Sequence, residues 1–381
     1  MKKGLFLFAD YYDATSSAIR VLRASKGLFD DVEFLYWART GKERDNADPL
    51  YEEVRFEAFK KTAKPRSLGV LFLFFSFQYW IFKSLLQRKP TFVVSFTFFT
   101  ILPSLLYKYF FNWRCKVIYD PRDYVSESFR MNAIIAGTLN FVDNIFIKLS
   151  NFVIFPDRQY FIYYGRFSLK ENKYLIIPNS TEDVLEIVEK IDIRAKYNLP
   201  KEMYLIPILG YFSETRGEKI LFELIERKIP NLYFVFAGDI RDEKYLTFFD
   251  KNANNVTYLG KIPYLDALAI MKNSLLVPQL YDPILKNNIY GFATKYYDCL
   301  MVGTPIITSI GMIEMSNEIE SNNFGWAVGY EDTDELQRII QVYIQNPNII
   351  EKVKLRKYFL QKYNYTIYVK KLREVYSRFS Q

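Results

Sequence analysis

The strongest constraint on the fold is the repeated alternation of short apolar runs with longer segments of helical periodicity along the 381 residues. Near-continuous apolar runs are typical of strands that are buried on both faces of a parallel sheet. The alternation runs twice, so we predict an α/β chain of two doubly wound, Rossmann-like domains that face each other across a cleft. Ligands of such sheets bind beyond the carboxyl ends of the strands, which places the expected site in that cleft.

The sequence predicts the first domain at residues 1–178, the second at 179–362, and a C-terminal helix at 363–381 that crosses back to the first. We expect the C-terminal helices to pack on the first domain. The boundary follows Pro178, where a charged stretch begins. The predicted strands are 4–9, 32–37, 92–96, 115–119, 152–155 and 173–177, then 203–209, 232–237, 256–259, 275–277, 306–309 and 325–328. The predicted helices are 15–25, 51–62, 68–88, 101–111 and 126–149, then 217–227, 264–271, 292–301, 333–345, 348–362 and 366–379.

Several classes of chemistry are excluded by composition. The chain contains no histidine, which removes an imidazole base, a Ser-His-Asp triad and a His-ligated metal site. Its two cysteines, Cys115 and Cys299, lie in separate apolar runs, and we expect both in the core rather than in a disulfide or as nucleophiles. This usage of cysteine fits a reducing cytoplasm.

The net charge of +8 is concentrated in the first half of the chain. Residues 1–178 carry 26 Lys and Arg against 17 Asp and Glu, whereas residues 179–381 carry 25 against 26. A basic half indicates an anionic partner or, alternatively, a generally lysine-rich surface. No nucleic-acid motif is present, so we expect a membrane surface and a peripheral position on its cytoplasmic side. The most hydrophobic segment, 68–82, falls short of a spanning helix and is predicted to pack in a core or lie on a membrane.

Residues 292–309 combine a short helix, a Gly303-Thr304-Pro305 turn and a buried strand. Lys295 and Asp298 stand one helical turn apart and therefore face the same way. A cation and a carboxylate so placed can hold a diphosphate and sugar hydroxyls, respectively. The alternative is an intrahelical ion pair.

Polar residues also follow two predicted strands of the first domain. Asp10 comes after the first strand, and Ser16 and Ser17 open the next helix, whose N–H groups favour an anion or serve as an ordinary cap. Asp120, Arg122 and Asp123 follow a second strand. These residues are predicted to bind hydroxyls or phosphate groups of a ligand, and a structural salt-bridged cluster is the alternative for the second group.

Seven short segments with glycine turns, strand ends or helix starts follow one another along the chain. They are 119–123 (YDPRD), 177–180 (IPNS), 209–217 (LGYFSETRG), 236–239 (FAGD), 255–264 (NVTYLGKIPY), 277–278 (VP) and 295–305 (KYYDCLMVGTP). In this order they resemble the segments of GT-B-fold glycosyltransferases, and within that class the large retaining family 4, also called group 1. The resemblance covers nearly the whole chain and is closest from about 175 to 330.

The resemblance implies an acceptor domain at 1–178 and a domain at 179–362 that binds a nucleotide diphosphate sugar. Arg216 occupies the basic position that stabilises the leaving diphosphate, Lys295 is a second phosphate ligand, and Asp298 replaces the Glu that accepts hydrogen bonds from the ribose. Other positions implied to bind the donor lie in its turns and loops: Gly210, Tyr211, Gly238, Tyr290, Gly291 and Thr294.

Two of these positions depart from the family pattern. Tyr211 stands where an arginine is usual, and Tyr290 stands where the family has a glutamate eight residues before Asp298. These departures leave the identity of the transferred sugar open.

The family implies a retaining transfer, with the leaving phosphate accepting the proton and no metal or cofactor. The basic first domain and the aromatic helix near 68–86 indicate a lipid-linked or cell-surface saccharide as the acceptor, which the polar residues of the first domain named above are expected to bind. An inverting route requires a carboxylate base, for which Asp10, Asp13 and Asp123 are the candidates. A non-catalytic nucleotide-binding or membrane-surface partner and a sugar-nucleotide epimerase are the alternative functions.

Overall fold

The computed structural model describes residues 2–9, 16–38, 53–62, 68–123, 125–127, 132–164, 169–240 and 242–380. The chain divides into two compact units, one of Met1–Pro178 with Thr366–Gln381 and the other of Asn179–Tyr365. Each unit is built on parallel strands connected by helices, as the sequence predicts.

The first unit contains a parallel sheet of seven strands within the described residues, in the order β3-β2-β1-β4-β5-β6-β7. The strand order reverses between β1 and β4, which is the switch point where doubly wound sheets bind ligands. Its strands are β1 (Lys3–Phe8), β2 (Asp31–Trp37), β3 (Val54–Phe59), β4 (Phe92–Phe96), β5 (Lys116–Asp120), β6 (Phe152–Phe155) and β7 (Tyr174–Ile176).

The predicted helix at 51–62 is wrong, because Val54–Phe59 forms the edge strand β3, which pairs in parallel with β2. Its apolar residues alternate with Arg55 and Glu57, a period of two that is typical of a half-exposed strand. Arg55 donates to Asp31 of β2 at 2.6 Å, and such charged side chains protect a sheet edge from further pairing.

Helices of the first unit cover both faces of this sheet. Those that precede its last strand are α1 (Ser16–Arg23), α2 (Leu68–Arg88), α3 (Phe98–Phe110), α4 (Ala133–Leu149) and α5 (Arg158–Tyr164). Helices α2, α3 and α4 bury Phe77, Ile101 and Phe146 in a shared core with β-strand residues such as Val93 and Tyr119. The predicted helix at 126–149 begins later, at Ala133, where the side chain of Asn132 caps it.

The second unit has two three-stranded parallel ladders in the order β10-β9-β8 and β11-β12-β13. A parallel bridge between Leu205 and Ser274 joins β8 to the chain just before β11. The strands are β8 (Tyr204–Leu209), β9 (Leu232–Ala237), β10 (Val256–Tyr258), β11 (Val277–Gln279), β12 (Ile306–Ser309) and β13 (Gly325–Val328), so β11 lies two residues beyond its predicted position.

Helices of the second unit include several that the sequence did not predict, among them α9 and α13. The α-helices within the described residues are α6 (Leu185–Val188), α7 (Ile193–Lys196), α8 (Glu218–Glu226), α9 (Lys244–Lys251), α10 (Tyr264–Lys272), α11 (Lys286–Tyr290), α12 (Thr294–Val302), α13 (Ile313–Asn322), α14 (Thr333–Gln345) and α15 (Lys352–Tyr358), which continues into a π-helical turn, Phe359–Tyr363. Helix α15 packs against α12 inside this unit rather than on the first domain.

The last helix, α16 (Tyr365–Ser380), belongs almost entirely to the first unit, as predicted. Its Tyr376 packs edge-on against Phe6 and Phe92, with ring centroids 6.3 and 5.0 Å away. These phenylalanines alternate with the residues that face α2–α4, so α16 covers the opposite face of the sheet.

None of the helices in the described part of the chain combines the length and the hydropathy needed to cross a bilayer. Both cysteines are buried and unpaired with each other. Burial raises the pKa of the Cys115 thiol to about 12, and burial likewise raises the pKa of Cys299, so neither is a reactive thiolate near neutral pH.

Candidate active site

Two glycine turns form the carboxyl ends of neighbouring strands in the second unit. Gly210 follows β8 with φ of +89°, and Gly238 follows β9 with φ of +138°. A Cβ atom on Gly238 would lie 2.0 Å from the carbonyl oxygen of Gly210, so the two turns pack backbone against backbone. A Cβ on Gly210 would meet nothing within 4 Å in the described chain, which leaves this backbone open to a ligand.

Two cations, Arg216 and Lys295, converge beside these turns. The Arg216 guanidinium and the Lys295 ammonium lie 5.2 and 5.5 Å from the centre of the buried Tyr281 ring. Lys295 donates to the carbonyl of Leu209 at 2.8 Å, which fixes it at the end of β8. Within the described residues neither cation forms an ion pair with a carboxylate, so their charge is available to an anion.

Arg216 ends a short 3-10 turn, Glu214–Arg216, that leads into α8. Its guanidinium also lies 5.5 Å from the ring of Tyr211, the residue that replaces the usual arginine, and donates to the Tyr211 carbonyl at 3.4 Å. Gly217 then adopts φ of +77°, and a Cβ there would lie 2.9 Å from Leu280. The aromatic pair Tyr211 and Tyr281 therefore brackets the guanidinium and limits its rotation.

The loop after β11 links this turn to α11. The backbone N–H of Asp282 donates to the Thr215 carbonyl at 3.0 Å, and the amide of Asn288 donates to the Asp282 carbonyl at 2.8 Å. These bonds explain why Tyr281 reaches both cations, a role that sequence reasoning missed. Its signal in the sequence is an aromatic residue two positions after a buried strand.

Asp298 is buried on α12, one turn after Lys295. Its carboxylate accepts a hydrogen bond of 2.6 Å from the hydroxyl of Tyr264 at the start of α10, and that hydroxyl also lies 3.2 Å from Thr181 Oγ1. Tyr264 is a second participant that sequence reasoning did not single out. The hydrogen bond from Tyr264 thus holds the carboxylate in one orientation.

The remaining predicted donor residues surround the start of α12. Tyr290 ends α11, and the structure shows no hydrogen bond or ring contact between it and either cation. Gly291 packs so closely on Asn287 that a Cβ would lie 2.6 Å from its carbonyl oxygen. Thr294 is exposed at the first position of α12, which Ala293 precedes without a capping side chain. An anion near this helix end is favoured by the helix dipole.

We expect Asp298→Asn to raise the KM for the donor about tenfold, because a charge-assisted hydrogen bond to a ribose hydroxyl contributes about 1.5–3 kcal/mol. Steady-state kinetics would check this, with Asp334→Asn as an exposed carboxylate control. Tyr264→Phe removes the partner but keeps the carboxylate. A KM unchanged in Asp298→Asn would contradict the assignment.

A cluster of tyrosines that donate hydrogen bonds to one carboxylate connects α12 to α13. Glu318 Oε1 of α13 accepts from the hydroxyls of Tyr296 (3.0 Å), Tyr358 (2.8 Å) and Tyr363 (2.6 Å), and from Lys362 (3.2 Å). Tyr296 is on α12, next to Lys295. Burial and then the neighbouring charges raise the pKa values of Tyr296 and Tyr363 above the ordinary tyrosine value.

This cluster predicts a loss of stability at alkaline pH. In the unfolded chain a tyrosine ionises near pH 10, whereas in the folded chain the raised pKa keeps Tyr296 and Tyr363 protonated. The unfolded state therefore holds fewer protons above about pH 10, and the free energy of unfolding falls by up to about 1.4 kcal/mol per pH unit for each tyrosine. Urea unfolding followed by circular dichroism would show a shallower fall in Tyr363→Phe. An equal fall in both proteins would contradict the prediction.

In the first unit, Asp120 and Arg122 at the end of β5 are both buried and paired at 2.9 Å, while Asp123 is exposed. Arg122 also lies 4.7 Å from the centre of the Phe96 ring. Burial raises the pKa of Asp120, and the charge of Arg122 opposes that shift. The paired arrangement corresponds to the salt-bridged alternative, with Asp123 directed to solvent.

The other predicted acceptor residues follow β1. Asp10 and Asp13 lie outside the described residues. Ser16 and Ser17 open α1, and the structure describes their backbone there.

Two strained residues mark the same edge of this sheet. Thr97 after β4 has φ of +67°, and Arg122 after β5 has φ of +63°, a conformation that is costly for residues other than glycine. The hydroxyl of Thr97 is buried without a hydrogen-bond partner among the described residues. Sequence reasoning missed Thr97, because the residue type threonine does not predict a positive φ.

Comparison with known proteins gives a family for the second unit. Residues 189–362 match the model of the "Glycosyl transferases group 1" family. A search of curated protein sequences finds no significant match.

Solved structures resemble the whole chain at low sequence identity. Sucrose-phosphate synthase from Thermosynechococcus elongatus is 16% identical with a TM-score of 0.76, and 99% of each chain is covered. Anabaena HepE in complex with UDP-glucose is 15% identical with a TM-score of 0.71, covering 99% of this chain and 100% of that one. WaaG, a glycosyltransferase involved in lipopolysaccharide biosynthesis, is 12% identical with a TM-score of 0.68, covering 98% and 99%. Residues 189–362 are thus similar to the group 1 glycosyltransferases, and the chain as a whole has the GT-B fold of these solved structures.

Proposed function

We propose that the enzyme transfers a hexosyl group from a nucleotide diphosphate sugar to a hydroxyl of a lipid-linked or cell-surface saccharide. The observation that carries this proposal is the convergence of Arg216 and Lys295 on Tyr281 at the end of β8, without carboxylate partners among the described residues. HepE structures hold UDP, or UDP with glucose, which supports a uridine donor.

The chemistry follows from the charge of the leaving group. As the anomeric carbon separates from the diphosphate oxygen, negative charge grows on the phosphate, and two fixed cations stabilise it there more than in the ground state. The amide groups at the start of α12 add to this stabilisation. We propose that these groups replace a metal ion, so that activity persists in the presence of EDTA.

We propose retention of the anomeric configuration. The acceptor oxygen bonds to the anomeric carbon on the face that the diphosphate leaves, and the acceptor proton passes to the departing phosphate oxygen. This route needs no protein base. Acceptor hydroxyls would be held by the first unit, with Asp10, Ser16, Ser17, Asp120, Arg122 and Asp123 as the proposed residues.

The test is nucleotide release from a panel of UDP-, GDP- and dTDP-sugars, with and without a membrane-extracted saccharide-lipid acceptor. Acceptor-dependent release, with a product whose anomeric configuration matches the donor by NMR, supports the proposal. Nucleotide binding without turnover of any donor would indicate a non-catalytic partner, and interconversion of the sugar nucleotide without acceptor would indicate an epimerase. Tyr211 and Tyr290, which replace usual charged residues, make the donor panel necessary.

A further inference from the structure

The outer faces of α2, α3 and α4 are apolar, although the inner faces of these helices already pack on the first sheet. On α2, Phe77 and Ile81 are buried against the strands, while Phe72 (71% exposed), Phe75 and Tyr79 point outward. The outward residues are spaced three and four apart and therefore share one face of the helix. A helix that is apolar on both sides needs a second apolar environment.

The neighbouring helices continue this surface. Phe110 of α3 is 76% exposed, and Trp113 just after it is 75% exposed. On α4, Ile134 is 78% exposed, and Phe141 lies two turns further on the same side. These exposed side chains of α2, α3, α4 and Trp113 are called the apolar face below.

Contacts between the helices make the apolar face continuous. The ring of Phe82 on α2 lies 5.5 Å from that of Phe111 at the end of α3. Tyr109 of α3 donates to the carbonyl of Leu149 at the end of α4 at 2.9 Å. A contiguous apolar surface of this kind marks an interaction site rather than ordinary scatter of single residues.

The charges beside the apolar face indicate the kind of partner that it binds. Residues 58–119 contain ten Lys or Arg and no Asp or Glu. Lys83, Arg114 and Lys148 are exposed beside the apolar face, whereas Asp143, the one acidic residue of α2, α3 and α4, is buried and bonded to Tyr119 at 2.6 Å. A surface with exposed cations and apolar side chains, and with no exposed acid on its three helices, fits an anionic lipid surface.

The tip of α3 has the composition of a membrane-interface anchor. The guanidinium of Arg114 lies 5.3 Å from the centre of the Trp113 ring. Tryptophan places its ring at the level of the lipid headgroups, and a neighbouring arginine extends to the phosphates. A second copy of this chain would instead bring like charges together, which disfavours self-association through the same surface.

We propose that the apolar face docks on the surface of a bilayer containing acidic phospholipid, with Phe75, Phe110 and Trp113 inserted among the headgroups. This inference deepens the proposed function and rests on it in one respect, that the acceptor is lipid-linked. Docking itself involves neither donor nor acceptor, so it is measured without them.

The experiment is co-sedimentation of the full chain with vesicles of phosphatidylcholine alone or mixed with phosphatidylglycerol. We expect binding to the mixed vesicles, weakened by salt, with a blue shift of tryptophan fluorescence that Trp113→Phe removes. Phe75→Ser and Phe110→Ser should each weaken binding about tenfold, because each variant loses the burial of one phenylalanine side chain. Lys83→Gln with Arg114→Gln should abolish the preference for the acidic lipid.

The matched control is Val353→Ser, which removes an apolar side chain that is 80% exposed in the second unit and should leave vesicle binding unchanged. Binding equal to wild type in Phe75→Ser and Phe110→Ser would overturn the proposal. So would a stable dimer that these variants dissociate, with no vesicle binding. Donor turnover that persists in variants that no longer bind vesicles separates a failure of docking from a failure of the proposed function.

Discussion

Replacing Arg216 with alanine is expected to lower kcat by about 10²–10³-fold while the protein remains folded. The guanidinium lies at the end of β8 with Lys295, bracketed by Tyr211 and Tyr281. Its interaction grows with the charge on the departing phosphate, so its loss acts on the transition state more than on donor binding. Steady-state kinetics with the donor that the enzyme accepts would measure the effect.

Two comparisons sharpen this test. Arg338→Ala removes an exposed arginine of the same unit that pairs with Glu335, and it should leave kcat within about twofold. Arg216→Lys keeps the charge but loses the planar fork, and its kcat should fall between those of wild type and Arg216→Ala. If Arg216→Ala retained the wild-type kcat, the diphosphate would have to bind elsewhere.

Gly238→Ala is expected to destabilise the second unit by roughly 3 kcal/mol or more and to abolish donor binding. The added Cβ would stand 2.0 Å from the Gly210 carbonyl oxygen, at a φ of +138° that a side chain rarely adopts. Backbone surrounds it on this side, so relief requires the two turns to separate. That separation would displace the open backbone of Gly210 and, through Leu209, the position of Lys295.

Gly260→Ala is the matched control for the conformational cost alone. Gly260 has φ of +66°, yet a Cβ there would meet no atom of the described chain within 4 Å. Its cost should be about 1 kcal/mol. Urea unfolding of the two variants separates the cost of the steric clash at Gly238 from the conformational cost of a positive φ, and calorimetric titration of UDP measures donor binding. Equal stabilities would show that the turns are not packed as the structure describes.

The sequence predicts most of this fold because its strands are buried on both faces. Strands 92–96 and 306–309 could be located to the residue as uninterrupted apolar runs between turn residues. The edge strand β3 was mistaken for a helix because a six-residue segment with charges at alternate positions is short enough to fit either period. The shift at β11 has a similar origin, since Leu275 and Leu276 are as apolar as the strand that follows.

The candidate site was only partly predictable. Arg216, Lys295 and Asp298 are recognisable because they stand at fixed places relative to glycine turns and helix starts. Tyr281 and Tyr264 contact residues from segments that are distant in sequence. A local sequence pattern does not predict such long-range contacts. The same holds for Thr97, whose backbone strain depends on how β4 passes into α3.

The return of α16 to the first sheet has a consequence during synthesis. Phe6 and Phe92 emerge from the ribosome early, but Tyr376, which shields them, is translated only after the whole of the second unit. The nascent first unit therefore has the part of its sheet that α16 covers still exposed while the second unit is made and begins to fold. During this time the nascent chain is prone to aggregate, and a chaperone can bind the apolar surface that α16 later covers. Ribosome stalling upstream of residue 366 would leave a nascent chain unable to complete its earliest-made domain.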